Sequence, residues 1–367
     1  MKCVHCGHVT KYPARSANGG QCEKCKHRFG FEPKTDQYKI GDPFFDRAIQ
    51  NVSSENTVFF TPRQLWYEVE RRLRRRRLND AGGVFYGMAV VAAITSGFIA
   101  LGSSSVIPFL VGLGAAALLV GAGVAVSSIS KRRTPRPEMT YPTFRDSYQR
   151  TWERAHGVIE KMVPPNGEQA LQAHEIDPDT TSCSFDRALA TDNAEIAAML
   201  VANNFHFENN CAVLSVDGYP FGIKDTVMTM LRRNPDLQVF ALHDASAEGS
   251  ALPLTLRSEE WFPDTNVKVL DLGLSPRHAK AMRLFTISGT EQYPPPEVRE
   301  VLTEVELAWL QKGLVAEVAV LRPARLIRAI YQGFGRGAEL DTSQGGQEYA
   351  MSGGYYPIYF GDDDSFG

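Results

Sequence analysis

Between Ala81 and Ser130 the chain has no Asp, Glu, Lys, Arg or His. Soluble helices seldom stay uncharged over such a length, so an ordinary solvated surface segment is excluded. The stretch reads as two apolar segments, Gly82–Gly102 and Val106–Ile129, separated by Ser103-Ser104-Ser105. Each is at or above the roughly 20 residues a helix needs to cross a bilayer core. Other features are scarce as well. Six cysteines in a chain whose soluble parts are expected in the cytoplasm point to metal or free thiol rather than disulfide. No apolar run stands at the N-terminus and Cys3 follows at once, so no signal peptide is expected. The formal net charge of -3 gives the whole chain no electrostatic case for nucleic acid.

The positive charge that is present is concentrated. Arg71-Arg72-Leu73-Arg74-Arg75-Arg76-Arg77 precedes the apolar stretch, and Lys131-Arg132-Arg133 with Arg136 follows it. Positive clusters beside membrane helices stay on the cytoplasmic side. A hairpin returns the chain to its starting side, so both flanks and both termini are expected in the cytoplasm. Gly83 with Gly87, Gly112 with Ala116, and Ala117 with Gly121 are four apart, a spacing that lets membrane helices approach closely. The alternative is a buried helical hairpin of a soluble core.

Residues 1–31 hold the most specific short motif. Cys3-x2-Cys6 and Cys22-x2-Cys25 form two knuckles that present four thiolates, which suits tetrahedral Zn²⁺. A segment this short buries little core, so the metal supplies most of its folding energy. Lys2, Lys11, Arg15, Lys24, Lys26 and Arg28 make the ribbon basic. That suggests docking to nucleic acid or protein, but a short basic stretch is usually a solvated face, which favours a structural knob over direct nucleic-acid contact.

Composition divides the rest. Residues 32–60 read as a polar linker with at most a short helix at Phe44–Gln50. Residues 61–80 form a helix started by Thr61-Pro62, with Leu65, Trp66, Val69 and Leu73 on one face and arginine on the other. Such a helix can lie on an anionic membrane surface and run into the first span. Residues 81–130 are the hairpin. Residues 131–182 hold a proline-rich linker and a helix over Phe144–Met162. Residues 183–290 alternate strand and helix, which argues a parallel sheet with helices on its faces. Residues 291–333 carry two further helices, interrupted at Pro323. Residues 334–367 read as a flexible tail. The C-terminal helices and the tail, with Tyr355, Tyr356, Tyr359 and Phe360, are candidate docking sites for protein partners.

Within 183–290, Ala188–Thr191 ends at Asp192, Cys211–Val216 runs into Asp217-Gly218-Tyr219-Pro220, and Gln238–Leu242 runs into His243-Asp244-Ala245-Ser246-Ala247-Glu248-Gly249. Open parallel sheets place their sites at these strand ends. This order of an acid, Gly-Tyr-Pro and an Asp-centred loop resembles a Toprim domain, most closely the version in topoisomerase VI. The resemblance implies an α/β Toprim-like fold and a Mg²⁺ or Mn²⁺ site for phosphoryl transfer. It places Asp192 where the family usually has Glu, and Asp244 at the first Asp of an Asp-x-Asp. Ser246 stands where the family has the second Asp, and it supplies no negative charge for a hard cation. Glu248 is the acid that can compensate. No winged-helix domain with a cleaving tyrosine precedes this region, so a topoisomerase is not expected.

Two functions follow as expectations. The first is a membrane protein that binds or cleaves nucleic acid or another phosphate ester with a divalent metal. Asp192 and Asp244 would hold the metal, Glu248 would assist, and Lys224 or His243 would contact phosphate. The second is a non-catalytic scaffold in a membrane-associated complex. A plainer reading of Asp192, Asp217 and Asp244 is that they end strands and cap helices.

Overall fold

The computed structural model describes residues 1–103, 106–132, 134–164, 185–220, 222–234, 236–258, 260–263 and 267–341. The chain divides into two compact units, Val69–Pro135 and a larger body of Met1–Glu68 with Arg136–Gly367. At the N-terminus the bridges Lys2–Val9 and Gln21–Arg28 flank helix α1 (Tyr12–Ala17).

Residues 32–60 are packed, not a linker. Helix α2 (Asp42–Val52) has Pro43 in its first turn, where proline has no helical bond to lose. It buries Phe45, Ala48 and Val52. The Phe45 ring lies 5.3 Å from Phe31 and 5.0 Å from Trp152. One apolar face among polar neighbours lowers the average hydropathy and hides such a helix from a compositional reading.

Helix α3 (Pro62–Ser103) is continuous, and α4 (Ile107–Arg132) follows it. The start of α3 was expected on a membrane surface. Leu65, Trp66 and Tyr67 are instead buried in the body, and Trp66 Nε1 donates to the Met139 carbonyl at 3.1 Å. In the smaller unit the two helices touch at glycines. A Cβ on Gly112 would overlap Ser96 Oγ, and one on Gly123 would lie 2.8 Å from Phe85 Cβ. Both pairs are equidistant in sequence from Ser104, as an antiparallel hairpin requires. Of the expected small residues, Gly83, Gly87 and Gly121 have nothing within 4 Å of an added Cβ. Thr95 and Ser96 bond their hydroxyls to the carbonyls of Val91 and Ala93, so these polar groups are satisfied within α3.

After α4, Tyr141–Thr143, a π-helical stretch Phe144–Gln149 and helix α5 (Arg150–His156) follow one another without a break. Phe144, Tyr148 and Trp152 are buried from one side, as their spacing predicts. The segment stops at Gly157, whose φ is 89°, rather than at Met162.

The α/β part contains a four-stranded sheet of β1 (Arg187–Thr191), β2 (Cys211–Ser215), β3 (Gln238–Leu242) and β4 (Lys268–Asp271). Its order is β2-β1-β3-β4 and every pairing is parallel. Helices α6 (Ala194–Ala202), α7 (Ile223–Arg233) and α8 (Leu252–Leu256) lie between the strands in sequence. Ala188, Leu214, Val239 and Val269 pack with Val227 and Leu231 of α7 and Leu256 of α8. On β3, Phe240 stacks 4.5 Å from Phe334. Burial on both faces is why the strands read as unbroken apolar runs.

The C-terminal region differs from its expectation. Pro323 does not interrupt a helix but starts α9 (Pro323–Asp341). Phe334 belongs to α9, not to a tail. A Cβ on Gly333 would come within 2.7 Å of Leu272 Cδ2, so glycine permits this close contact. The preceding apolar run forms a strand Leu314–Val315, paired with Ile287–Ser288, and a 3₁₀ turn at Val318–Val320. The expected loop 166–181 and the tail beyond residue 341 lie outside the described residues.

Phe45→Ala tests the packing of the segment read as a linker. Loss of this buried ring should cost about 3–5 kcal/mol in urea unfolding. A cost near zero would return residues 32–60 to a linker.

Candidate metal centre and acidic sheet edge

The two N-terminal knuckles fold alike. Cys3 and Cys22 donate their N–H groups to the carbonyls of His8 and His27, both at 2.9 Å. Gly7 and Lys26 then turn the chain with φ of 73° and 59°. A lysine in this left-handed region costs roughly 1–2 kcal/mol, which the surrounding structure must offset. The turns bring Sγ of Cys3 to 3.7 Å from Cys25, and Sγ of Cys6 to 3.7 Å from Cys22. All four sulfurs lie within 4.8 Å of one another. A tetrahedron of metal–sulfur bonds of about 2.3 Å has edges of about 3.8 Å. The cysteines are free, and this spacing is far beyond a disulfide. Backbone N–H groups, that of Cys25 foremost, draw the Cys22 thiol down to about 6. The group can therefore hold a metal ion, and its geometry is compatible with zinc. Four protein ligands leave no open position, which suits a structural centre. Phe29 covers the cluster. Arg15 is not a free surface cation: it pairs with Glu32 through Nε at 2.8 Å and Nη2 at 2.9 Å.

At the carboxyl edge of the sheet, β1 and β3 are neighbours, so Asp192 and Asp244 meet. Asp244 donates its backbone N–H to Asp192 Oδ2 at 2.9 Å. Asp192 Oδ1 is buried and has no partner. Asp244 Oδ1 accepts the Val318 N–H at 2.6 Å. Burial raises both carboxyl pKa values, and for Asp244 the neighbouring charges of Asp192 and Glu317 add to it.

His243 is locked inside this edge. Its Nδ1 donates to the Asp244 carbonyl at 2.8 Å and its Nε2 to Asp271 Oδ1 at 3.0 Å. Burial alone would lower its pKa, but the Asp271 carboxylate outweighs that and lifts it to about 9. The ring is thus an imidazolium at neutral pH with both donors engaged. Gly273 is required beside it, because a Cβ there would overlap the ring.

The other expected site residues are placed differently. Ser246 Oγ accepts the Gly249 N–H at 2.8 Å. Glu248 is exposed, with Gln292 Nε2 at 3.4 Å. Asp217 is exposed and raises the Asp192 carboxyl only slightly beside burial. Lys224 Nζ sits 4.4 Å over the Trp261 ring, in a groove of about 320 Å³ that Arg232 also lines. Among the described residues, the four cysteines are the one His, Cys, Asp or Glu group close enough to hold a metal.

Three residues that no sequence motif marks, Arg63, Tyr67 and Glu317, join this edge. Arg63 Nη1 pairs with Glu317 Oε1 at 2.6 Å, and Tyr67 OH donates to Glu317 Oε2 at 3.1 Å. Burial and then the Glu317 charge push the Tyr67 phenol well above its ordinary range. The legible signal was Glu317 itself, a lone acid in the run Leu314-Val315-Ala316-Glu317-Val318-Ala319-Val320-Leu321. Glu317 is answered by Arg63, and Asp271 by His243 and Arg257; the His243 charge also acts on Asp192 and Asp244, against the larger effect of burial.

Comparison with known proteins gives no matching family model, no matching curated protein and no matching solved structure.

Cys22→Ser should weaken metal retention by the full chain, read as metal per protein after dialysis against a chelator. Retention equal to that of the unmodified chain would mean that the cysteines are not a ligand set.

Proposed function

We propose that this chain is a membrane-anchored scaffold, in which a zinc ribbon and a Toprim-like α/β body are carried on a two-helix transmembrane hairpin. The observation that carries the non-catalytic reading is the use of the acids. Asp192 and Asp244 each give an oxygen to a backbone N–H of the same chain, and Ser246 does likewise. Burial, joined for Asp244 by the charges of Asp192 and Glu317, raises both carboxyl pKa values and so favours their neutral forms, consistent with a fastening role. The membrane reading draws on two helical windows of mean hydropathy 2.0 and 2.3, each only 11% buried within the protein. It also draws on the basic flanks, since positive clusters beside membrane helices stay on the cytoplasmic side, and a hairpin then has both termini there.

One observation favours a second reading. The partnerless Asp192 Oδ1 is the kind of buried atom a cation satisfies. In that reading Asp192 and Asp244 hold Mg²⁺ or Mn²⁺, and the ion supplies charge stabilisation for binding or cleaving nucleic acid or another phosphate ester.

Manganese titration of the full chain in detergent, followed by electron paramagnetic resonance, separates the two. The scaffold predicts no submillimolar site. A submillimolar site that Asp244→Asn abolishes would sink it and support the metal reading.

The hairpin has its own test. Cysteines introduced as Ser104→Cys and Asn166→Cys should react with an impermeant reagent from opposite sides of the membrane. Reaction of both from one side would remove the transmembrane hairpin.

A further inference from the structure

The second cysteine knuckle is tied to the body by a polar chain that the first knuckle lacks. Asp42, the first residue of α2, is fully buried. Its carboxylate accepts the N–H groups of Gly30 at 3.1 Å and Phe31 at 2.9 Å. It also meets Nε2 of His156, 114 positions away, at 2.9 Å. A carboxylate oxygen accepts, so Nε2 of His156 is the donor in this contact. His27 Nε2 lies 2.9 Å from Nδ1 of the same His156 ring, within hydrogen-bond reach. The His27 and His156 rings also stack at 4.8 Å, and His156 lies 4.1 Å from Trp152.

His27 is close to the metal ligands through its backbone. Its carbonyl accepts the Cys22 N–H at 2.9 Å, and its N–H bonds the Cys25 sulfur. Fixing the His27 ring therefore fixes both ligands of the second knuckle. The molecule contains its own control. His8 occupies the corresponding place in the first knuckle, two residues after Cys6, and it is exposed, with only Glu23 at 3.8 Å.

We infer that Asp42 and His156 are positioning residues of the metal centre, which latch the second knuckle onto the body through His27 and so couple metal retention to the packing of α2 and α5. The inference rests on the four cysteines holding a metal. Outer partners that orient metal ligands commonly change affinity 10- to 100-fold when removed. By linkage, the bound metal must hold the latch closed to the same degree.

The test follows zinc release from the full chain in detergent to a chromophoric chelator, with Trp152 fluorescence recorded alongside in a background carrying Trp66→Phe, Trp261→Phe and Trp309→Phe. His156→Ala and Asp42→Asn should release zinc at least about tenfold faster. His156→Gln should restore slow release, because its amide can both accept from His27 and donate to Asp42. His8→Ala should release zinc at the rate of the unmodified chain. Chelation should shift Trp152 emission in the unmodified chain and in His8→Ala, and much less in His156→Ala. Unaltered release from His156→Ala, or equal acceleration by His8→Ala, would overturn the latch. Should Asp42→Asn fail to fold, the His156→Ala and His156→Gln pair carries the test. An unmodified chain that holds no zinc would instead overturn the metal reading itself.

Discussion

The first two turns of α3 are bound to the segment 317–322 by a buried polar clamp, and the body is arranged around it. Arg63 and Tyr67 share Glu317, Gln64 reaches the Leu321 carbonyl at 3.1 Å, and Glu68 takes Arg322 through both carboxylate oxygens. Glu68 is nearly inaccessible to solvent. Each ion pair joins a buried carboxylate to an arginine that still reaches solvent, 31% exposed for Arg63 and 44% for Arg322, so its net gain over apolar packing is small. It is, however, costly to break on one side, since an unpaired charge then stays buried. Such a clamp fixes where α3 begins and how its first turns are rotated. It also reaches the sheet edge, because Glu317 borders Val318, whose N–H is held by Asp244. One short segment therefore faces both the acid pair and the helix that runs on into the smaller unit.

The acid pair itself shows how a strand-end carboxylate can become a fastening. The loops that leave the carboxyl edge of the sheet carry backbone N–H groups that need acceptors once buried. Asp192 and Asp244 serve the loops at 244 and 318, and Asp271 serves Gly273. His243, charged and enclosed, keeps part of the resulting negative charge in balance. The edge is held together by charge within the chain, and each acid carries structural work whether or not a ligand binds there.

Local patterns in the sequence were legible, and distant pairings were not. The cysteine spacing, the uncharged stretch and the alternation of strands and helices each depend on neighbouring residues, and these features could be read directly. Phe45 was hidden because its ring partners, Phe31 and Trp152, lie on either side of it and far apart in sequence. Leu65 and Trp66 looked suited to a membrane surface, since an amphipathic face does not say whether lipid or protein covers it. Phe334 read as the start of a tail by composition, while its ring packs 4.5 Å from Phe240 of a distant strand. Of the edge, the acids were visible at strand ends. The ring nitrogens of His243 were not, because their engagement depends on Asp271 at the end of another strand.

The docking of the ribbon onto α5 sets an order of events during synthesis. The four cysteines emerge early and close together, so the metal centre can assemble from the first thirty residues alone. Its dock includes His156 and Trp152, which leave the ribosome only after both apolar helices have been made. Phe60 likewise waits for its backbone partners at Lys161 and Val163. Until then Phe31 and Phe45 have no Trp152 to cover them, and the nascent N-terminal part carries exposed aromatic surface. The lifetime of that surface is set by how long the chain from the two apolar helices to Trp152 takes to be made, so the rate of synthesis across that interval sets the aggregation risk of the N-terminal part.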